Sequence, residues 1–102
     1  MLKQIPSQIL FENNYGLVIQ DIHPQSVVHY LWLPKTHLEN LLDDLAPTIM
    51  NQFMKSLKDM IDILKLNRGF KTTLNTGQDG GQEINHLHIH LQVGPFFKTG
   101  EN

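Results

Sequence analysis

The chain contains no cysteine. This absence excludes disulfide bonds and thiolate metal sites, and it is typical of proteins in a reducing compartment. No apolar run approaches the roughly 20 residues that a membrane-spanning helix needs. The first ten residues, MLKQIPSQIL, also lack the long apolar stretch of a signal peptide. The sequence therefore predicts a cytoplasmic protein with no membrane partner.

An excess of charge of either sign is also missing. Eight basic residues stand against ten acidic ones, which gives a formal net charge of -2. No segment is basic enough to indicate binding to nucleic acid, so we expect no nucleic-acid partner. The 102 residues contain no visible linker, repeat or low-complexity tract. They predict a single domain spanning 1–102.

What the sequence does contain is an ordered series of short apolar runs around one long periodic segment. The predicted strands are 8–12, 15–21, 28–33, 69–75 and 84–93. Two helices are predicted between the third and fourth strands: a short one over 37–45 with Thr36 as N-cap, and a long amphipathic one over 46–66. The tail from Gly94 to Asn102 is expected to fray. Strands, then helices, then strands predict the α+β class, an antiparallel sheet with helices on one face.

The stretch GGQEINHLHIHLQVG, residues 80–94, carries half of the six histidines of the chain. Three histidines alternate with three apolar residues: His86, Leu87, His88, Ile89, His90 and Leu91. Side chains on a strand alternate between its two faces. A strand here would place the apolar residues against the long helix and all three histidines on the opposite face, toward solvent, a ligand or another subunit.

Three explanations of this histidine row compete. It could be a solvated polar surface, a zinc site built from three imidazoles with an open fourth position, or a site for phosphoryl transfer with an imidazole nucleophile. The preceding loop NTGQDGGQ, residues 75–82, contains three glycines. Such a loop can turn backbone N–H groups inward to form an anion site. The combination favours phosphate, although no GxxxxGK[ST] or GxGxxG motif is present.

The histidine row and this loop together resemble the histidine-triad (HIT) family, and in particular its Hint-like nucleoside phosphoramidase branch. Residues 5–12, 18–25 and 29–37 are similar to the opening strands of that branch. The resemblance implies a five-stranded antiparallel sheet with one long and one short helix. It also implies assembly as a two-fold homodimer.

The resemblance further implies a reaction and four catalytic positions. His88 would be the nucleophile, with its tautomer fixed by the His86 carbonyl, while His90 binds the phosphate oxygens and His29 orients the triad. The substrates would be purine nucleoside 5'-phosphoramidates, or acyl or aminoacyl nucleotides. A covalent nucleotidyl-histidine would form and then release AMP or GMP. No metal and no organic cofactor is expected.

The nucleotide would be held by residues from two parts of the chain. The resemblance assigns the phosphate to Asn75, Gly81, Gln82 and Glu83, the ribose hydroxyls to Asp21, and the purine slot to Ile22. Taken alone, an Asp at a strand end more often bonds to its own backbone in a turn. His29 could equally be a core histidine. His23 and His37 have no role in the pattern and are expected to be surface or loop residues.

Two positions depart from the family pattern. Glu83 stands where this branch usually has a serine, and an ionised carboxylate would repel a phosphate at close range. Gln92 stands where an apolar residue is expected after the triad. A dinucleoside polyphosphate hydrolase, a nucleotide-binding module with little catalysis, and a zinc protein using His86, His88 and His90 therefore remain alternatives.

Overall fold

The structure is a computed structural model that describes residues 8–97. Its elements in chain order are β1 (Ile9–Glu12), β2 (Gly16–Gln20), β3 (Ser26–Pro34), α1 (Ala46–Leu64), β4 (Lys71–Thr73) and β5 (Ile89–Phe96). The five strands form one sheet in the order β1-β2-β3-β5-β4. All neighbouring strands are antiparallel. The predicted α+β class, with a five-stranded antiparallel sheet and one long helix, is confirmed.

Helix α1 forms where the apolar spacing predicts it. Pro47 lies in its first turn, where a missing N–H breaks no intrahelical hydrogen bond. The helix buries Ile49, Phe53 and Met60 on one side. It ends where Lys65 adopts a left-handed conformation, with φ 59° and ψ 49°. No helix within residues 8–97 is both long and apolar enough to cross a membrane.

The main core lies between α1 and one face of the sheet. Trp32 of β3 is fully buried, and its ring lies 5.1 Å from that of Phe53 in an edge-on arrangement. Leu87, Ile89 and Leu91 belong to the same buried cluster. The prediction that these three apolar residues face the long helix is therefore confirmed.

The short helix predicted over 37–45 is wrong. This segment forms turns instead, in which Asn40 Oδ1 accepts a hydrogen bond from the N–H of Leu42 at 2.9 Å. Asp43 Oδ1 accepts one from the N–H of Leu45 at 2.8 Å. Short polar side chains that bond to the nearby backbone compete with helix formation. The periodic leucines of this segment therefore did not suffice to form a helix.

The last strand begins later and ends later than predicted. Strand β5 starts at Ile89, so His86 and His88 precede it and His90 alone of the three lies on it. The reason is that the N–H of Leu87 donates to the carbonyl of Leu38 at 2.8 Å, which ties this segment to the turn after β3. The strand continues to Phe96, through part of the predicted frayed tail. Residues 98–102 of that tail lie outside the described residues.

Candidate active site

Two histidines from adjacent strands form the centre of the candidate site. His29 on β3 is only 3% exposed, and its Nε2 lies 2.8 Å from Nδ1 of His90 on β5. The backbone N–H of Gln25 donates to Nδ1 of His29 at 2.9 Å. A backbone amide can only donate, so Nδ1 of His29 is the acceptor and Nε2 of the neutral ring carries the hydrogen. That hydrogen is donated to Nδ1 of His90, which leaves Nε2–H of His90 as a donor with no hydrogen-bond partner among residues 8–97.

His88 is held in the opposite tautomer. Its Nδ1 lies 2.9 Å from the carbonyl oxygen of His86. A carbonyl can only accept, so Nδ1 of His88 carries the hydrogen and Nε2 keeps its lone pair. The rings of His88 and His90 are 5.2 Å apart and nearly perpendicular. One imidazole thus offers a nucleophilic nitrogen while its neighbour offers an N–H donor.

Burial keeps the rings of His29 and His90 neutral at physiological pH. Burial lowers the pKa of His90 from 6.5 to about 4, and the charges of His88 and His29 act in the same direction while Asp21 opposes them. Burial also lowers the pKa of His29, against the attraction of Asp21. Both rings are therefore neutral near pH 7, as the tautomers above require.

Asp21 joins the histidine pair to a pocket. Its Oδ2 lies 3.3 Å from Nε2 of His29, and its Oδ1 accepts a hydrogen bond from the N–H of His23 at 2.8 Å. The second contact is the turn bond that an isolated Asp was expected to make. The adjacent pocket measures about 360 Å³ and is lined by Gln8, Leu10, Gln20, Asp21, Ile22 and Pro24. Ile22 is 64% exposed, so its side chain is free to contact a ligand there.

His86 does not share a face with the other two histidines. Its Nδ1 lies 2.7 Å from Nδ1 of His37, and the two rings are 4.8 Å apart. The prediction of three histidines on one strand face is wrong, because 86–88 precede β5 and strand alternation does not apply to them. His37 is an exposed loop residue as expected, yet it binds His86. Burial, with the charge of His37 as a smaller cause, lowers the pKa of the buried His86 ring.

The geometry also bears on metal binding. Within residues 8–97, one group of three side chains brings its ligand atoms within 4.8 Å of one another: Asp21, His29 and His90. His86 and His88 are not in it, so the zinc set His86, His88 and His90 is not brought together. The ligand atoms of the observed group already contact each other, which gives them partners without an ion.

The glycine loop is wound more tightly than an open anion cradle. Residues 78–80 form a single 3₁₀ turn. The N–H of Gly81 donates to the carbonyl of Gln78 at 3.1 Å, and that of Gln82 donates to the carbonyl of Gly77 at 3.0 Å. These two amides, expected as phosphate donors, are therefore occupied within the loop. Asn75 supports the same turn through Nδ2, which donates to the carbonyl of Gly80 at 2.8 Å.

The side chain of Gln82 fastens this loop to its surroundings. Its Oε1 accepts from the N–H of Gly77 at 2.8 Å and from Nδ2 of Asn40 at 3.2 Å. Its Nε2 donates to the carbonyls of Glu39 at 2.6 Å and Ile84 at 2.8 Å. The next residue, Glu83, is exposed. Gln82 therefore holds the loop in place, and its amide group is fully used in doing so.

Some contributors to the site could not be found by sequence motif. Gln25 acts through its backbone N–H, which any residue other than proline supplies, so its identity carries no signal. The contact of His37 with His86 depends on the turn after β3.

Comparisons with known proteins agree with this arrangement. Residues 2–95 match the family model for the HIT domain. The protein HitA of Neisseria gonorrhoeae is 36% identical over 96 residues, which cover 91% of this chain and 89% of HitA. A HIT family hydrolase from Legionella pneumophila superposes with a TM-score of 0.73 at 28% identity, covering 97% of this chain and 91% of that one. A histidine triad nucleotide-binding protein from Candida albicans superposes with a TM-score of 0.73 at 27% identity. The match covers 86% of this chain and 66% of the Candida chain.

The family match spans nearly all of the described residues, and the five-stranded sheet, the paired histidines and the neighbouring pocket occur together within it. This chain belongs to the HIT domain family.

Proposed function

We propose that this protein is a purine nucleotide-binding hydrolase that cleaves nucleoside 5'-phosphoramidates, or acyl or aminoacyl nucleotides. The observation that carries the proposal is the pair of opposite tautomers, with a lone pair on Nε2 of His88 beside an N–H on Nε2 of His90. A nucleophile next to a hydrogen-bond donor suits attack on a phosphate. The similar Legionella protein is described as a hydrolase and the Candida protein as nucleotide-binding.

The proposed reaction has two steps. Nε2 of His88 attacks the α-phosphorus, a P–N bond forms to the ring, and the bond from phosphorus to the leaving amine breaks as the amine takes up a proton from solvent. Water then attacks phosphorus and the bond to His88 breaks. The water oxygen remains on the released AMP or GMP, and its proton goes to solvent. The carbonyl of His86 stabilises the positive charge on the ring through its bond to Nδ1–H, and Nε2–H of His90 binds a phosphate oxygen.

The pocket beside Asp21 would receive the nucleoside. A carboxylate only accepts hydrogen bonds, which suits the two ribose hydroxyls. Oδ1 and Oδ2 each have remaining lone pairs beside their contacts with the His23 amide and His29. The exposed Ile22 would contact the base. Asn75 and the backbone N–H of Glu83 would complete the phosphate site, since the amides of Gly81 and Gln82 are occupied within the loop.

Glu83 bears on the leaving group. Its side chain is exposed, so it can turn away from the phosphate without desolvation. A leaving group that carries a positive charge would be attracted to it, whereas an anionic one would be repelled. This favours amine-bearing leaving groups over carboxylates and over the second phosphate of a dinucleoside polyphosphate.

We also propose that the protein is a cytoplasmic homodimer. Helix α1 exposes Met54 and Ile63, at 61% and 58% of their surface, and β4 is a sheet edge of only three residues. Apolar groups on a helix and an unpaired edge are both surfaces that a second copy could cover. Sedimentation equilibrium would measure the mass in solution, and a monomer at all concentrations would contradict the dimer.

The first test is AMP release from an adenosine phosphoramidate in the presence of EDTA. Wild type should release AMP, His88→Ala should not, and His23→Ala, which lies outside the histidine pair, should match wild type. Release that persists in His88→Ala would refute the covalent mechanism. No release from wild type, with AMP still bound, would favour a binding module and make Glu83→Ser the next variant to assay.

A further inference from the structure

Gln92 is a buried polar residue on the face of the sheet that carries the histidine pair. It is 7% exposed and lies directly opposite His29 in the pairing of β3 with β5. Its Nε2 donates to the hydroxyl of Ser26 at 3.1 Å. Ser26 is 1% exposed, and its hydroxyl in turn donates to the carbonyl of Val28 at 2.6 Å. A buried amide without such a partner would be costly, so this bond fixes the start of β3 against β5.

The start of β3 is where the tautomer of His29 is set. Gln25 immediately precedes Ser26, and its N–H is the donor to Nδ1 of His29. The carbonyl of Gln25 accepts from the N–H of Phe97, just after β5, at 2.8 Å. The register between β3 and β5 shifts between Ser26 and Val28, so the strand ladder itself is irregular here. The bond from Gln92 to Ser26 spans this irregularity and holds the segment that carries the Gln25 amide.

A single hydrogen position decides whether the site can bind an anion. With the Gln25 amide on Nδ1, His29 donates through Nε2 to His90, and His90 presents N–H outward. Without that amide, the contact of Asp21 Oδ2 with Nε2 of His29 at 3.3 Å still favours a hydrogen on Nε2, but the ring can more often place its hydrogen on Nδ1 and accept through Nε2. His90 would then donate through Nδ1, and its outward Nε2 would carry a lone pair that repels phosphate oxygens.

We propose that Gln92 is a positioning residue which, through Ser26 and the Gln25 amide, holds His29 and His90 in the tautomers that bind phosphate. The inference rests on the proposed function for its consequence in catalysis. The tautomers themselves can be measured whether or not the chain hydrolyses nucleotides. Gln92 thereby acquires a role at a position where the family pattern has an apolar residue.

The test uses two variants that remove one partner each. Gln92→Met keeps a long unbranched side chain without the donor, and Ser26→Ala removes the acceptor. Val93→Ala, on the same strand but on its opposite face, is the control for a general loss of stability. The ring nitrogens of His29 and His90 are assigned in ¹⁵N-histidine-labelled protein near pH 7, where NMR shifts distinguish the two neutral tautomers.

We expect Gln92→Met and Ser26→Ala each to raise the minor tautomer of His29 and His90 about fivefold, the effect of losing one ordinary hydrogen bond. The double variant should have no more of the minor tautomers than the stronger single variant, because each substitution breaks the same bond between Gln92 and Ser26. The rate of AMP release should fall in proportion to the loss of the major tautomers, and therefore by a smaller factor. Wild-type ring shifts in both single variants would overturn the proposal, as would equal changes in Val93→Ala. A tautomer change in a protein that releases no AMP would contradict the proposed hydrolase activity but would still support the positioning role of Gln92.

Discussion

His90 should make the protein lose stability in mild acid. In the unfolded chain its pKa is 6.5, whereas burial in the folded protein lowers the pKa to about 4. Between these values the unfolded chain binds a proton that the folded chain does not. The free energy of unfolding therefore falls as the pH falls. The stabilisation is complete above pH 6.5 and is lost as the pH falls through about 4.

The magnitude follows from the two pKa values. Their difference corresponds to about 3 kcal/mol without screening. The ring of His90 is only partly buried, so solvent screening reduces the expected loss to about 2 kcal/mol. His29 and His86 also have lowered pKa values and act in the same direction. The free energy of unfolding that wild type loses in acid is therefore larger than the contribution of His90 alone.

The assay is urea unfolding at several pH values between about 7 and about 4.5 for wild type, His90→Gln and His23→Gln. Glutamine does not titrate, so the free energy of unfolding of His90→Gln should depend less on pH than that of wild type. The difference between the two free energies of unfolding should change by most of about 2 kcal/mol over this range. The exposed His23 is the matched control and should leave the wild-type slope intact. Parallel curves for wild type and His90→Gln would refute the reasoning, and so would an NMR titration that places His90 near 6.5.

Three further substitutions and one control test other contacts of the fold. In Gly16→Ala the new Cβ would lie 2.6 Å from a carbonyl oxygen of β3, so thermal unfolding should show that the free energy of unfolding falls by roughly 1–3 kcal/mol. The control is Gly80→Ala, whose new Cβ would have its nearest neighbouring atom at 4.0 Å and should lower the free energy of unfolding far less. Gln82→Leu removes four hydrogen bonds that hold the glycine loop, and urea unfolding should show a loss of about 2 kcal/mol or more together with slower AMP release; an unchanged midpoint and rate would count against the fastening role. Lys35→Met breaks an exposed ion pair with Glu12 of 2.7 Å and should change stability by less than about 1 kcal/mol, which the same unfolding curves would show.

The elements with strong local periodicity could be predicted from the sequence. The spacing of Ile49, Phe53 and Met60 predicts α1, and the alternation of Leu87, Ile89 and Leu91 predicts the face that meets it. The segment 37–45 could not be predicted in this way. Its leucines suggest a helix, while Asn40 and Asp43 bond to the nearby backbone and favour turns.

The sequence by itself determined which residues could do chemistry here, because the spacing of the histidines and the glycines of the loop are local properties of the chain. It also placed His88 and His90 two residues apart, although the strand alternation from which their shared face was predicted begins only at Ile89. The tertiary structure decided the rest, namely the pairing of His86 with His37, the inward-bonded amides of the glycine loop, and the donation from Gln25 to His29. The first joins residues that lie 49 positions apart in the chain, and the other two use backbone N–H groups that all residues except proline share. No local pattern of side chains encodes them.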